Sequence, residues 1–381
     1  MASTPDLTTL KQAMQRELRE DILPFWIEHV VDRARGGFHG ALSNDLQVHD
    51  EVERSLQLAS RVLWTYSAAY RQYHDPEHLE MARYAFTVLT TQFQDYESGG
   101  MYWWIDHEGR PVNDRKQIRG QAFAIYGLSE YYRASGDADA LGLALDLFNL
   151  LEKYAFDPQY GGYIEACARD WSRLADMRLS DEEPNAPKTV NTLLHVMEAY
   201  TNLLRARPDP RVRTALMKLL QVFLTHVVDP QTYAARLFFE NDWTPLSGLV
   251  SYGHDIETSW LLVEAAEALD EEAYIERASQ VSVQMAEAVR ARGLDADGAV
   301  AHEGSPRGVH DDTRRWWCQA EGIVGFVNAY QISGDEQFAR AALRIWDFIT
   351  AHMLDRRYGE WLKILDRNGQ PLPGQWKAGP G

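Results

Sequence analysis

Two histidines, His195 and His254, stand where an imidazole could move protons. In Asn191-Thr192-Leu193-Leu194-His195-Val196-Met197-Glu198 the polar residues Asn191, His195 and Glu198 follow i, i+4, i+3 steps and share one helix face. In Tyr252-Gly253-His254-Asp255-Ile256-Glu257 a helix begins with His254 and Glu257 on one face. Imidazole titrates near neutrality, so each suits general acid–base work. Either alone is more often a satisfied core histidine than a catalyst; two at corresponding ends of neighbouring helices point to chemistry. The remaining histidines, such as His29, His74, His78, His107 and His226, fall on outer helices or turns and read as surface.

A metal is not expected. The His-x-x-Glu order reverses the Glu-x-x-His of di-iron bundles, and no His-Glu-x-x-His occurs. Asp295-Ala296-Asp297-Gly298 hints at a calcium loop but carries its glycine two positions too early. A Walker loop, a dinucleotide fingerprint and a Gly-x-Ser-x-Gly elbow are all missing, so phosphoryl, hydride and serine-ester chemistry lose their usual supports. Tryptophan is abundant, with 12 residues that include Trp103-Trp104 and Trp316-Trp317 at a helix start. Such faces pack in cores, and they also stack on the apolar C–H face of a pyranose. Glu257 and Glu321 could cleave a glycosidic bond as a carboxyl pair, although a glycosidase would not require the two histidines. Arg61, mid-way along a helix, is uninformative by itself.

The elements that must position these residues follow from a repeat of about sixty residues. An Asp turn between two helix-like stretches recurs at Asp75, Asp137, Asp209, Asp270 and Asp335, spaced by 62, 72, 61 and 65 residues. Interleaved with it is a glycine and aromatic turn at Gly36-Gly37-Phe38, Gly99-Gly100-Met101, Gly161-Gly162-Tyr163, a degenerate Tyr233-Ala234-Ala235, Gly298-Ala299-Val300 and Gly359-Glu360-Trp361. Apolar spacing between these marks is helical, as in Leu56, Ala59, Leu63, Tyr66, Ala69 and Tyr73. The expected helices cover approximately 6–31, 53–73, 76–94, 115–135, 137–155, 186–207, 209–228, 253–269, 270–290, 311–332 and 335–352. Six two-helix units predict an all-α (α/α)6 barrel forming one catalytic domain over 1–381, with an open solenoid as the alternative closure. The even helices would line the inside and bring their N-termini, with their positive dipole ends, to one rim. The sixth inner helix should follow Trp376, so the expectation is a chain shortened at its C-terminus, with apolar surface exposed on helices two and ten.

The net charge of −18 opposes nucleic-acid or anionic-membrane partners. No apolar run reaches a spanning length, and the Met1-Ala2-Ser3-Thr4-Pro5-Asp6 start lacks a leader pattern, so a cytoplasmic location is expected. Cys167 and Cys318 are too few for a disulfide framework and read as inert thiols.

Four blocks resemble the cellobiose 2-epimerases of the N-acylglucosamine 2-epimerase superfamily: Arg61-Val62-Leu63-Trp64-Thr65-Tyr66, Asn191-Thr192-Leu193-Leu194-His195, Tyr252-Gly253-His254-Asp255-Ile256-Glu257-Thr258-Ser259-Trp260 and Trp316-Trp317-Cys318-Gln319-Ala320-Glu321. The resemblance runs from about residue 10 to the end. It implies an (α/α)6 barrel and cofactor-free epimerisation at C2 of the reducing-end glucose of a β-1,4-linked disaccharide, through ring opening and a cis-enediolate. On this resemblance His254 is a base and Glu257 its orienter. His195 assists at O1/O5, Arg61 holds the enediolate oxygens, Trp317 stacks on a sugar, and Asn191 bonds the substrate with Trp316 and Glu321 nearby. The family's other proton-transferring histidine lies in a Trp-Lys-x-Pro-Tyr-His segment just before the twelfth helix, and the expectation is that this chain, ending Gly374-Gln375-Trp376-Lys377-Ala378-Gly379-Pro380-Gly381, stops shortly before it. The expected partner is a small disaccharide, the expected assembly a monomer or weak homodimer. A monosaccharide 2-epimerase or aldose–ketose isomerase, and a non-catalytic carbohydrate-binding protein, are the alternatives.

Overall fold

The structure is a computed structural model and describes residues 6–178, 183–305 and 307–379. Residues 1–5, part of the stretch read as lacking a leader, and residues 380–381 lie outside the described residues. The apolar periodicity yields eleven helices among them: α1 (Leu7–Glu17), α2 (Leu56–Tyr73), α3 (Pro76–Val88), α4 (Ile118–Ser135), α5 (Ala138–Leu150), α6 (Val190–Ala206), α7 (Pro210–Val222), α8 (Tyr252–Leu269), α9 (Glu272–Arg292), α10 (Trp316–Ser333) and α11 (Glu336–Phe348). α1 runs on through widened turns to Val30, and α3, α5, α7 and α11 each end in one π turn. Asp75, Asp137, Asp209 and Asp335 cap α3, α5, α7 and α11 as their residue type suggests. Asp270 does the opposite job, closing α8 in a left-handed conformation.

The expected helix starts at 53, 115, 186 and 311 fall a few residues early. Arg54–Ser55, Lys116–Gln117, Lys188–Thr189 and Arg314–Arg315 are instead two-residue strands, paired antiparallel with the hairpin that follows the next outer helix. Strands this short carry no alternation that a sequence could display.

The even helices α2, α4, α6, α8 and α10 pack on one another in that order, and α3, α5, α7, α9 and α11 each cover the inner helix before them. The apolar core fills the space between the two layers. Inner helices approach closely: at Gly127 on α4 a methyl group would come within 2.7 Å of the Ser60 carbonyl oxygen on α2. First and last units meet, because α1 packs on α11 and strand Trp376–Ala378 pairs with Ala41–Ser43. Trp26 Nε1 donates to Glu360 at 2.8 Å, and Trp361 Nε1 donates to Glu17 at 3.2 Å. The architecture is therefore the (α/α)6 barrel and not the open solenoid. The inner arc has its ends at α2 and α10, and Val324 of α10 stays 43% exposed.

Six hairpins carry the inner helices at one rim. Each opens on an aspartate, Asp32, Asp95, Asp157, Asp229, Asp295 or Asp355, and is closed by a bridge such as Val31 to Phe38 or Gln94 to Met101. The Gly-Gly pairs at 36/37, 99/100 and 161/162 take φ between +74° and +83°, which these turns require. Five of the six aspartates pair with the cation two residues before an inner helix or, for the last, at the matching strand position: Arg54 at 2.5 Å, Lys116 at 2.8 Å, and Lys188, Arg314 and Lys377 at 2.7 Å each. Before α8 that position is Val250, and Asp229 takes Arg236 of its own hairpin instead. A second tie runs forward. The first N–H of α2, α4, α6, α8 and α10 donates to the carbonyl of Trp103, Glu165, Leu237, His302 and Lys363 respectively, at 2.9–3.2 Å. These bonds satisfy donors that a helix start otherwise leaves open.

Lys188 and Asp157 test the device, since the ammonium is fully buried, with that carboxylate and the Asn241 carbonyl as its hydrogen-bond acceptors and the Trp243 ring 4.4 Å away. Asp157→Ala should destabilise the chain by about 3–5 kcal/mol, because it strands a buried charge. The exposed Asp176→Ala, beside Arg178, should leave the urea midpoint where it was. Equal midpoints for both variants would remove the pairs from any structural role.

Candidate active site

The inner helices share one register. Their sixth residues are Arg61, Phe123, His195, Glu257 and Glu321, and one turn deeper stand Trp64, Tyr126, Glu198, Trp260 and Val324. One turn nearer the rim are Gln57, Arg119, Asn191, Gly253 and Trp317. Positions two, six and nine form one helix stripe, so these residues line the barrel interior.

Contacts knit the stripe together. The Arg61 guanidinium lies 4.6 Å over the Phe123 ring, and Phe123 lies 4.3 Å from the His195 ring. His195 Nδ1 is 3.1 Å from Glu198 Oε2, Tyr126 stacks on Trp64 at 5.1 Å, and Trp260 Nε1 donates to Glu321 at 2.8 Å. His254 is one residue past the second position. Its Nδ1 is 2.8 Å from Ser251 Oγ, and its ring is 4.9 Å from that of Trp317. Gly253 makes this possible, because a methyl there would lie 2.5 Å from the indole. On its other side Trp317 meets His302 at 6.3 Å, whose Nδ1 is 2.8 Å from Asp311.

Burial sets the charges here. It holds the His195 and His254 imidazoles below their usual range, His254 to about 3, with Arg61 and Arg119 adding to the effect on His195, and His195, His302 and Arg119 adding to it on His254. Burial also pushes Glu198 and Glu321 up to about 7. Glu257 goes well above the usual carboxyl range through burial and the neighbouring Glu321 and Glu198. Arg61 and Arg119 face this interior, and among the described residues neither side chain makes a hydrogen bond; each lies only against a ring, Phe123 and Trp103. The site thus presents two neutral imidazoles beside two guanidiniums free to bind oxygen.

Several expectations need correction. Ser251, and not Glu257, orients His254; Glu257 instead faces Arg61 and the other carboxyls. The reason is that Ser251 is the N-cap of α8, which places its hydroxyl under the third residue. Trp316 and Trp317 both pack, half-buried, against the second apolar cluster, and the Trp317 ring also meets that of His254. His78 is buried against Tyr66 and Tyr73 and not on the surface. Asp295 and Asp297 both hold Arg314, so the calcium-like loop spends its carboxylates on a guanidinium. Hairpin carbonyls take the first N–H of each inner helix, so that donor is not open at the rim. Asn191 is half-buried with no side-chain hydrogen bond among the described residues. Both thiols are buried, and the Cys167 thiol is pushed up to about 11 by burial. Spacing within any one motif does not single out Arg119 or Phe123. Laying the inner helices over one another at their first residues does.

The sequence pattern of N-acylglucosamine 2-epimerase (GlcNAc 2-epimerase) matches residues 36–380. The chain belongs to that family. It is 42% identical over 371 residues to the cellobiose 2-epimerase of Bacteroides fragilis, covering 97% of this chain and 94% of the relative. The solved cellobiose 2-epimerase of Bacillus thermoamylovorans B4167 superposes with a TM-score of 0.93 at 36% identity, over 98% of this chain and 95% of that one. A D-mannose isomerase structure, with a TM-score of 0.85 at 22% identity, shares the fold. With this family's other members the chain is a carbohydrate epimerase, an enzyme of the isomerase class. No helix among the described residues is long and apolar enough to cross a membrane.

The imidazoles give a direct check. In the unfolded chain each histidine titrates at about 6.5, so a folded state that excludes the proton is fully stabilised above that pH and loses stability as pH falls below it, for His254 towards about 3. Glu198 and Glu321 act oppositely: their contribution is complete below about 4.5 and is lost as pH rises through about 7. Nitrogen-15 NMR of histidine-labelled protein should find His195 and His254 neutral between about pH 5 and 8. An imidazolium at either position in that range would overturn the electrostatic picture.

Proposed function

We propose that this enzyme epimerises C2 of the reducing-end glucose of β-1,4-linked disaccharides such as cellobiose and lactose, and runs in reverse on mannobiose. The observation that carries the reading is the pair of neutral imidazoles, His195 buried and His254 half-buried, beside two guanidiniums that make no hydrogen bond among the described residues. Relatives at 36–42% identity named cellobiose 2-epimerase support the disaccharide.

The chemistry needs those groups. A C–H beside an aldehyde is a weak acid, so its removal requires a base that is neutral at working pH and fixed positive donors for the oxygen that gains charge. His195 exchanges a proton at the O1/O5 side as the ring opens, and Glu198 on its Nδ1 steadies the ring that carries it. His254 then takes the C2 proton. Ser251 on its Nδ1 holds the other nitrogen towards the substrate. Arg61, with Arg119, binds the enediolate oxygens, and Asn191 bonds a hydroxyl. Trp317 stacks on a sugar ring, and Glu257 and Glu321 set the field around Arg61. No metal or organic cofactor enters this scheme.

The test is product identity. Incubated with cellobiose, the enzyme should yield glucosyl-mannose by ion-exchange chromatography. His254→Asn should lower kcat/KM by about 10²–10⁴-fold, and Arg61→Met by about 10²–10³-fold. A ketose as the main product would favour an aldose–ketose isomerase, and an unchanged disaccharide with tight binding would favour a carbohydrate-binding protein.

A further inference from the structure

Trp317 meets the His254 ring and, in the scheme above, the sugar, yet its indole is untethered. The indole N–H groups of Trp26, Trp171, Trp243, Trp260 and Trp361 each donate to a carboxylate or a carbonyl, at 2.8–3.2 Å. That of Trp317 makes no hydrogen bond among the described residues. Its plane is therefore set by packing: the second apolar cluster, the bare Gly253, the His254 ring at 4.9 Å and 56°, and the His302 ring at 6.3 Å and 86°. The last of these is an edge-to-face contact, which fixes ring orientation.

His302 is itself held firmly enough to act as a wall. It is buried, and its Nδ1 lies 2.8 Å from Asp311 Oδ2. Its Nε2 is 3.8 Å from Glu303 Oε1, beyond hydrogen-bond reach, so among the described residues Asp311 anchors the ring. Against the opposing effect of burial, bonds from Thr313 and His302 hold the Asp311 carboxyl down to about 2. An ionised carboxylate only accepts, so His302 donates from Nδ1.

The backbone around this pair spans two inner helices. The His302 carbonyl accepts from the Tyr252 N–H at the start of α8, at 3.2 Å. Glu303 pairs with Ser251 on one side and with Asp311 on the other. Beyond Asp311 the chain runs through Arg314–Arg315 into α10, whose second residue is Trp317. One buried imidazole thus joins the start of the helix that carries His254 to the approach of the helix that carries Trp317.

We propose that His302, anchored by Asp311, is a positioning residue that sets the plane of the Trp317 indole and so governs how tightly the sugar is held beside His254. The inference rests on the epimerase reading above and adds no proton transfer to it. Ser251 orients His254 independently of His302. Loss of His302 therefore weakens stacking alike in the ground and transition states, which raises KM and leaves kcat little changed.

The experiment is a double-mutant cycle on cellobiose, comparing wild type, His302→Leu, Trp317→Ala and the double variant by initial rates of glucosyl-mannose formation. Absence of wild-type turnover would overturn the epimerase reading and the positioning role with it; the remaining outcomes bear on the positioning role alone. His302→Leu should raise KM about 5–10-fold with kcat within about threefold of wild type. In the double variant KM should stay within about twofold of Trp317→Ala alone, because the histidine acts through the indole. Asp311→Ala, on the partly exposed strand, leaves the ring in place but frees it, and should raise KM in the same direction; it takes the place of His302→Leu in the cycle if that variant does not fold. An unchanged KM in the His302 or Asp311 variant used, a loss confined to kcat, or KM effects that multiply in the double variant would overturn the assignment.

Discussion

The buried pairing of a hairpin aspartate with a lysine or arginine just ahead of an inner helix is the interaction on which the rest of the structure depends. The aspartate carboxylate already accepts turn N–H groups, as Asp32 does from Ala34 and Arg35 and Asp95 from Glu97 and Ser98. Adding the cation ties each hairpin to the strand that opens the following inner helix, while strand pairing and one carbonyl tie that helix to the hairpin beyond. Charge in a low-dielectric layer tolerates little displacement, since a misplaced partner leaves an ion unsolvated. The inner helices therefore start at one level, and equivalent residues on successive helices meet at one depth.

From that common level the site follows. Arg61, Phe123, His195, Glu257 and Glu321 converge because they are all the sixth residue of an inner helix. Convergence in a place with little water makes it costly to hold charge, so imidazoles stay neutral and carboxyls retain protons, while guanidiniums, whose basicity is far higher, keep theirs. Neutral base and fixed cation thus coexist on either side of the Phe123 ring at the same pH. In water the same groups would give mixed protonation states and screened charges.

Much of the fold was legible in the sequence because the repeat writes each helix several times over. Asp75, Asp137, Asp209 and Asp335 marked true caps, and the glycine turns marked true hairpins, even the degenerate one at Tyr233, where a non-glycine residue adopts a φ of +54°. The strands were not legible: two residues cannot alternate. Within the site, His195 and His254 stood out by type and spacing. Arg119 did not, because an arginine at the second position of a helix is ordinary until four other helices place Gln57, Asn191, Gly253 and Trp317 beside it. The orienter of His254 was misread because a helical i, i+3 partner competes with the N-cap hydroxyl of Ser251, and the cap prevails by geometry, lying directly beneath the ring.

Proton abstraction at C2 by enclosed neutral bases is the centre of this account, and the origin of the hydrogen at C2 of the product tests it most directly. Cellobiose carrying protium at C2 should be turned over by the wild-type enzyme in D2O and the newly formed mannose unit examined by mass spectrometry and proton NMR. The account predicts close to one solvent deuterium at C2 per epimer formed. Full retention of the original protium would mean that the hydrogen never leaves as a proton accessible to exchange, and would contradict abstraction by such a base.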